Sequence, residues 1–201
     1  VGLSYWEQNV IKVIDNIISK EEQENLKNEL LNKCFWYFVD DVSIKDNIHQ
    51  KRPGFKHLFY DNNKITSPFY YLIKPIIDNT KKKTGVGKDL LNARSFLQLP
   101  LNRNFIGKGE DTPHLDRRTP HIVFLYYVCD SDGDTIIYDY KSKHAEDVPY
   151  KEDVNVLKRV SPKQGRVVVF DGLHWHTAEQ PTKDKRCIIN FNISTNGTWL
   201  Y

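Results

Sequence analysis

The 201-residue sequence predicts an α+β domain that is mostly β: a helix-bearing support region over residues 1–90 and a β barrel or sandwich over 91–195. Three observations predict it. Before Asn92, two stretches carry helix signals, a capping box and an apolar stripe at i, i+3, i+4 spacing. From Asn92 onward the pattern changes to short β-branched and aromatic runs separated by turn residues. Finally, 39% hydrophobic and 12% aromatic residues in a chain of this length supply one sizeable core and are too few for two, so residues 1–201 are expected to form a single domain.

In chain order, Val10 to Asp15 mixes β-branched and polar residues and reads as a short strand. Ser19-Lys20-Glu21-Glu22 is a capping box, in which the Ser19 hydroxyl accepts from the Glu22 amide and that carboxylate reaches back; Leu26 and Leu30 then share one face. Phe35 to Val39 is aromatic and β-rich and reads as a strand, while the polar segment Asp40 to Lys56, with His49, reads as loop. Ser67-Pro68 opens the second helix, because Ser caps well and Pro fits the first helical position. Its stripe is Phe69, Leu72, Ile73, Ile76 and Ile77, a face suited to lie on a sheet, with Pro75 removing one hydrogen bond. Lys81-Lys82-Lys83 ends this helix and complements its dipole.

In the second half, Arg94 to Leu99, Ile122 to Val128, Thr135 to Tyr140, Arg166 to Phe170 and Arg186 to Ile193 read as strands, the last closing the barrel. The segments Asn102 to Asp111 and Lys141 to Asp153, the latter with His144 as a solvent-exposed residue, read as loops. Lys+Arg 29 against Asp+Glu 26 gives a net charge of +3 with the signs interspersed, so nothing demands nucleic acid or an anionic membrane. Cys34, Cys129 and Cys187 are an odd, widely spaced set that fits buried thiols in a reducing compartment. No apolar run approaches a membrane span and Val1 to Trp6 lacks the layout of a signal peptide, so an intracellular, cytoplasmic protein is expected.

The chemistry concentrates in Thr112-Pro113-His114-Leu115-Asp116 and Leu173-His174-Trp175-His176. In an extended strand His114 and Asp116 share a face, about 6 to 7 Å apart along the backbone. An imidazole and a carboxylate from one strand with a second imidazole from another make the 2-His-1-carboxylate set that binds non-heme Fe(II) and leaves positions open. His174 and His176 are both candidates for the second imidazole, since they too share a side in an extended strand. On the strand Phe124 to Val128, the period of two turns either Tyr126 or Tyr127 inward.

The order His114-x-Asp116, Phe124-Leu125-Tyr126-Tyr127-Val128, Asp132-Gly133-Asp134-Thr135, Gly165-Arg166-Val167-Val168-Val169-Phe170, His176 and Arg186 resembles the prolyl-4-hydroxylase branch of the 2-oxoglutarate- and Fe(II)-dependent dioxygenases, including its small phage and bacterial members. The resemblance spans roughly residues 90 to 195 and rests on ordered spacing. It implies a double-stranded β-helix, jelly-roll or cupin-like, supported from outside by the N-terminal helices. It implies Fe(II) on His114, Asp116 and His176, with Gly172 four residues before the distal ligand favouring His176 over His174. It further implies 2-oxoglutarate as cosubstrate, its far carboxylate on Arg186, with Tyr127 and Thr135 lining that pocket, O2 as oxidant and ascorbate as supporting reductant. The activity so implied is hydroxylation of an unactivated C–H bond, of a prolyl residue in a peptide or protein in the first place and of a free amino acid or other small molecule in the second. Asp116 is kept where halogenating relatives carry a small residue, and Asn192 stands where nucleic-acid demethylases carry a second arginine. A non-catalytic jelly-roll binding module and a zinc hydrolase are the readings from other classes; neither requires Arg186.

Overall fold

Residues 11–42, 52–102, 110–141 and 154–195 are described by the computed structural model. In chain order they form β1 (Ile11–Ile14), α1 (Lys20–Asn32), β2 (Tyr37–Val39), β3 (Gly54–Asp61), β4 (Lys64–Ile65), α2 (Tyr70–Thr84), β5 (Leu90–Gln98), β6 (His121–Tyr127), β7 (Thr135–Lys141), β8 (Val156–Val160), β9 (Val167–Asp171), β10 (His174–Ala178) and β11 (Arg186–Ser194). The larger sheet runs β1-β9-β6-β11-β5-β3-β2 with β4 on β3, and the smaller runs β10-β7-β8. Every pairing is antiparallel.

Alternation along the central strands sets the layers. On β6, Ile122, Phe124 and Tyr126 join a core with Leu26 and Leu30 of α1 and Ile73, Ile76 and Ile77 of α2. One residue out of phase, Val123, Leu125 and Tyr127 point the other way and pack with Val168 and Phe170 of β9, Ile188 of β11, Ile137 of β7 and Val160 of β8. The two helices therefore cover one face of the large sheet, while the small sheet closes over the other. A strand buried on both faces has no room for polar alternation, which is why β6 reads as one continuous apolar run. Burying each such side chain stabilises by roughly 1.5 to 3 kcal/mol.

Local signals place the helices. The Ser19 capping box forms as expected, with Glu22 N–H donating to Ser19 Oγ at 3.2 Å and Ser19 N–H to Glu22 Oε2 at 2.7 Å. α2 starts later than expected: Ser67 and Pro68 lie in the turn before it, and the Ser67 hydroxyl accepts from the Phe69 amide at 3.2 Å. The helix ends at Gly85, whose φ of 72° is the left-handed conformation that stops helices.

The structure corrects three other expectations. The loop placed over Asp40 to Lys56 gives way at Gly54 to β3, a strand whose mixed sequence GFKHLFYD hid its alternation. β4 and β8 were unassigned by pattern; β8 is exposed along Val156 to Arg159, so its residues carry little burial signal. β11, read as the strand that closes the barrel, pairs on both sides and lies at the centre of the large sheet, between β6 and β5. Finally, His114 and Asp116 are not on a regular strand: His114 forms an isolated bridge and Asp116 sits in a bend. His49, His144 and most of the loops at 43–51, 103–109 and 142–153 lie outside the described residues. Cys34, Cys129 and Cys187 are free thiols, and no helix among the described residues is long and apolar enough to cross a membrane.

Candidate active site

Between the two sheets lies a cavity of about 230 Å³, and most of the residues singled out by sequence open onto it, among them His114, Asp116, Thr135, His176 and Arg186. Its two ends differ in chemistry.

At one end His114 and His176 face each other as a backbone pair, each amide donating to the other's carbonyl, at 2.9 and 3.2 Å. This exchange replaces the expected strand as the device that fixes the first ligand opposite the second. Both rings turn Nδ1 toward a backbone carbonyl, His114 to Thr112 at 3.3 Å and His176 to His174 at 3.0 Å. Each Nδ1 is then a donor, and in the neutral ring this leaves the lone pair on Nε2. The three ligand atoms of His114, Asp116 and His176 lie within 4.8 Å of one another. Burial, and then the neighbouring His176, push the His114 pKa down to about 4, so this ring is neutral at pH 7. Burial works to raise the Asp116 pKa, but His176 and Arg94 outweigh it and hold the carboxylate well below its ordinary value. His176 Nε2 lies 3.6 Å from an Asp116 oxygen. The donor set, two imidazoles and one carboxylate, fits a divalent metal such as Fe(II).

His174 is not part of this set. A register shift in β10 between His174 and His176 breaks the expected two-residue repeat, and His174 turns Nδ1 to the Tyr138 carbonyl at 2.9 Å, away from the cavity. Close approach also matters behind the site: a Cβ on Gly172 would lie 2.1 Å from the His121 ring, so only glycine fits there. His121 is fully buried and turns Nδ1 to the Thr119 carbonyl, as a structural histidine does.

At the other end Arg186 is 5% exposed. Its Nε donates to the Gly133 carbonyl at 2.9 Å, one terminal nitrogen to Gln98 Oε1 at 3.2 Å and the other to Thr135 Oγ1 at 2.8 Å. All three acceptors are neutral, and among the described residues no carboxylate pairs with this guanidinium. Burial accordingly pulls its pKa down from the ordinary arginine value. A guanidinium has five N–H groups, so donors remain for a ligand. Tyr127 sits behind Thr135 and donates to the same Oγ1 at 2.7 Å, which resolves the choice between tyrosines: Tyr127 faces inward and Tyr126 faces the helices. With both Thr135 lone pairs taken, its hydroxyl proton is free to donate into the cavity. Gly133 is required here, since a Cβ would meet the Glu179 carbonyl at 2.5 Å. Asp132 accepts from the Thr182 hydroxyl at 2.6 Å and from the amides of Thr182, Lys183 and Asp184, anchoring the turn that delivers Arg186.

Sequence reading passed over three wall residues, Arg94, Gln98 and Asp111. Arg94 and Gln98 lie on β5 directly opposite Asn190 and Arg186 of β11, so the face of one strand dictated the face of the other. Only the pairing of β5 with β11, 96 and 88 residues apart for those two pairs, reveals it. Asp111 is buried beside Arg52, with the Nε to Oδ1 distance at 3.0 Å but off the hydrogen-bond direction, and it accepts from Gln98 at 3.1 Å.

Neither sequence profiles of known families nor curated protein sequences match the chain. Solved structures do. The viral collagen prolyl hydroxylase of Paramecium bursaria Chlorella virus-1, in complex with 2-oxoglutarate, aligns over 94% of this chain and 98% of its own, with a TM-score of 0.56 and 14% identity. A Pseudomonas putida prolyl-4-hydroxylase aligns over 96% of each chain, with a TM-score of 0.57 and 12% identity. HygX from Streptomyces hygroscopicus, with nickel, 2-oxoglutarate and hygromycin B bound, aligns over 96% of this chain and 85% of its own, with a TM-score of 0.59 and 13% identity. The chain has the fold of the 2-oxoglutarate/Fe(II)-dependent oxygenases.

Proposed function

We propose that the protein is a 2-oxoglutarate- and Fe(II)-dependent oxygenase that hydroxylates an unactivated C–H bond. One observation carries the reading: a single cavity joins a facing set of two imidazoles and a carboxylate to a buried arginine that has neutral partners only. A metal alone explains the first end and an anion alone the second. A ligand that chelates a metal at one end and bears a carboxylate at the other explains both, and 2-oxoglutarate is such a molecule.

In this reading His114, Asp116 and His176 hold Fe(II), and Arg186 receives the far carboxylate with its spare N–H donors, a planar fork matched to two oxygens. Thr135 donates its free hydroxyl proton to the same group, while Tyr127 and Gln98 keep Thr135 and the guanidinium oriented. The iron, when bound, supplies oxygen activation coupled to decarboxylation of the cosubstrate to succinate. Phe96, Leu115, Leu125 and Ile188 give the cavity an apolar lining that keeps water from the reacting end.

The substrate we favour is a prolyl residue of a peptide or protein, on the resemblance of the ordered motifs and the two prolyl hydroxylases of like fold. HygX, whose structure holds hygromycin B, keeps a small-molecule substrate as the second reading. Neither a zinc hydrolase nor a binding module needs a buried arginine aimed at a dicarboxylate. The test is succinate release from 2-oxoglutarate by Fe(II)-loaded protein in air with ascorbate, first alone and then with proline-rich peptides. Release above a metal-free control supports the oxygenase; none, with iron shown to be bound, rejects it.

A further inference from the structure

We propose that Arg94 and Asn190 are positioning residues that orient Asp116 as a metal ligand, so that metal affinity depends on two side chains outside the triad. The inference rests on the reading of His114, Asp116 and His176 as a metal site.

The three ligands are not held alike. His114 and His176 are fixed twice, by their mutual backbone bonds and by their Nδ1 contacts. Asp116 lies in a bend with no ladder on its backbone, yet its side chain is 1% exposed. Its orientation must come from side-chain partners. Arg94 of β5 donates a terminal nitrogen to Oδ1 at 2.5 Å, and Asn190 of β11 donates Nδ2 to Oδ2 at 2.8 Å. Arg94 and Asn190 are direct cross-strand partners in the register of β5 and β11, so one rung of the ladder presents both donors. The Arg94 guanidinium is itself seated over the Phe96 ring, at 5.4 Å from its centroid.

Two effects of Arg94 oppose each other. Its charge repels an incoming dication, and its hydrogen bond holds the carboxylate in place for one. The Arg94 side chain is 24% exposed and so partly screened, whereas the hydrogen bond it makes ends on a buried carboxylate. Orientation therefore outweighs repulsion. Losing such a partner of a metal ligand lowers affinity on the order of 10- to 100-fold.

The experiment titrates metal-free protein with Co(II), follows the visible absorption of the bound ion and measures thermal unfolding before metal is added. Arg94→Ala should bind on the order of 10- to 100-fold more weakly, with an altered band because the released carboxylate coordinates differently. Arg94→Lys should regain part of the loss, since it keeps a charge and a donor. Asn190→Ala should weaken binding by less and also alter the band. A merely structural role would lower the unfolding temperature and leave the spectrum of bound Co(II) as in the parent. Unchanged or tighter binding by Arg94→Ala overturns the proposal; if that variant does not fold, parent-like affinity and spectrum in Asn190→Ala overturn it instead. Asp116→Ala separates the two levels. If it binds Co(II) like the parent, the triad reading fails; if it loses Co(II) while Arg94→Ala does not, only the positioning role fails.

Discussion

The two ends of the cavity are built by the same pair of strands and yet are chemical opposites. At the triad end, β5 and β11 supply Arg94 and Asn190, and both are turned inward to hold a carboxylate of the protein itself. At the far end, four residues along the same strands, Gln98 and Arg186 hold each other and leave a guanidinium facing the cavity. One end presents electron pairs to a cation and the other presents protons to an anion. In the proposed function, polarity along the cavity, more than any single residue, selects a ligand with a metal-binding head and an acidic tail.

If that contrast is right, the largest effects come from breaking the triad end. Asp116→Ala should abolish tight iron binding and turnover while the fold persists, because the carboxylate contributes to the site and not to either apolar core. His176→Ala should abolish turnover as well, whereas His174→Ala should retain uncoupled succinate release. The checks are iron stoichiometry after desalting and the succinate assay. Unchanged iron content in Asp116→Ala, or the reverse ranking of the two histidines, would break the assignment.

Breaking the other end should leave iron bound and weaken the cosubstrate alone. Arg186→Ala removes one partner of a desolvated charge pair, an effect of about 2 to 5 kcal/mol. Arg186→Lys should recover only part, since an ammonium lacks the planar fork. Anaerobic titration of Fe(II) protein with 2-oxoglutarate, followed by its charge-transfer band, measures this. Parent-like affinity in Arg186→Ala means another group holds the tail.

At both ends the residues facing the cavity were legible in the sequence and those that hold them were not. The triad and Arg186 could be named because each belongs to a short motif or a countable spacing, and strands such as β6, β9 and β11 announce themselves by β-branched runs. The preference for His176 over His174 came from the resemblance, through Gly172; the bulge in β10 that turns His174 away is something no periodicity reveals. Arg94, Gln98 and Asp111 escaped because their roles exist only through pairings between distant strands. β3 escaped because Lys56 and His57 interrupt its apolar pattern; His57 is buried, held between the Phe35 carbonyl and the Ser67 hydroxyl. Local chemistry is written locally, and the shell around it is written in the register.

The smallest expected effect sharpens the contrast through Asp111. At the triad end the carboxylate is held ionised; at the far end burial raises the Asp111 pKa to about 6, despite Arg52 and Gln98 beside it and Arg186 nearby, with Asp41 adding to the rise. An ion pair off the hydrogen-bond direction returns less than the desolvation it requires. In the unfolded chain the same carboxyl releases its proton near 3.9. Between roughly pH 4 and 6 the folded chain therefore binds more protons than the unfolded one, so this group's contribution to stability falls as pH rises through that window and is flat above it. From pH 5 to pH 7 the loss is about 1 kcal/mol. Asp111→Asn keeps the shape and removes the titration, so the parent should lose about 1 kcal/mol more than the variant over that interval in urea unfolding. Parallel curves for the two proteins would mean that Asp111 stays ionised across the whole interval and that Arg52 and Gln98 offset its burial.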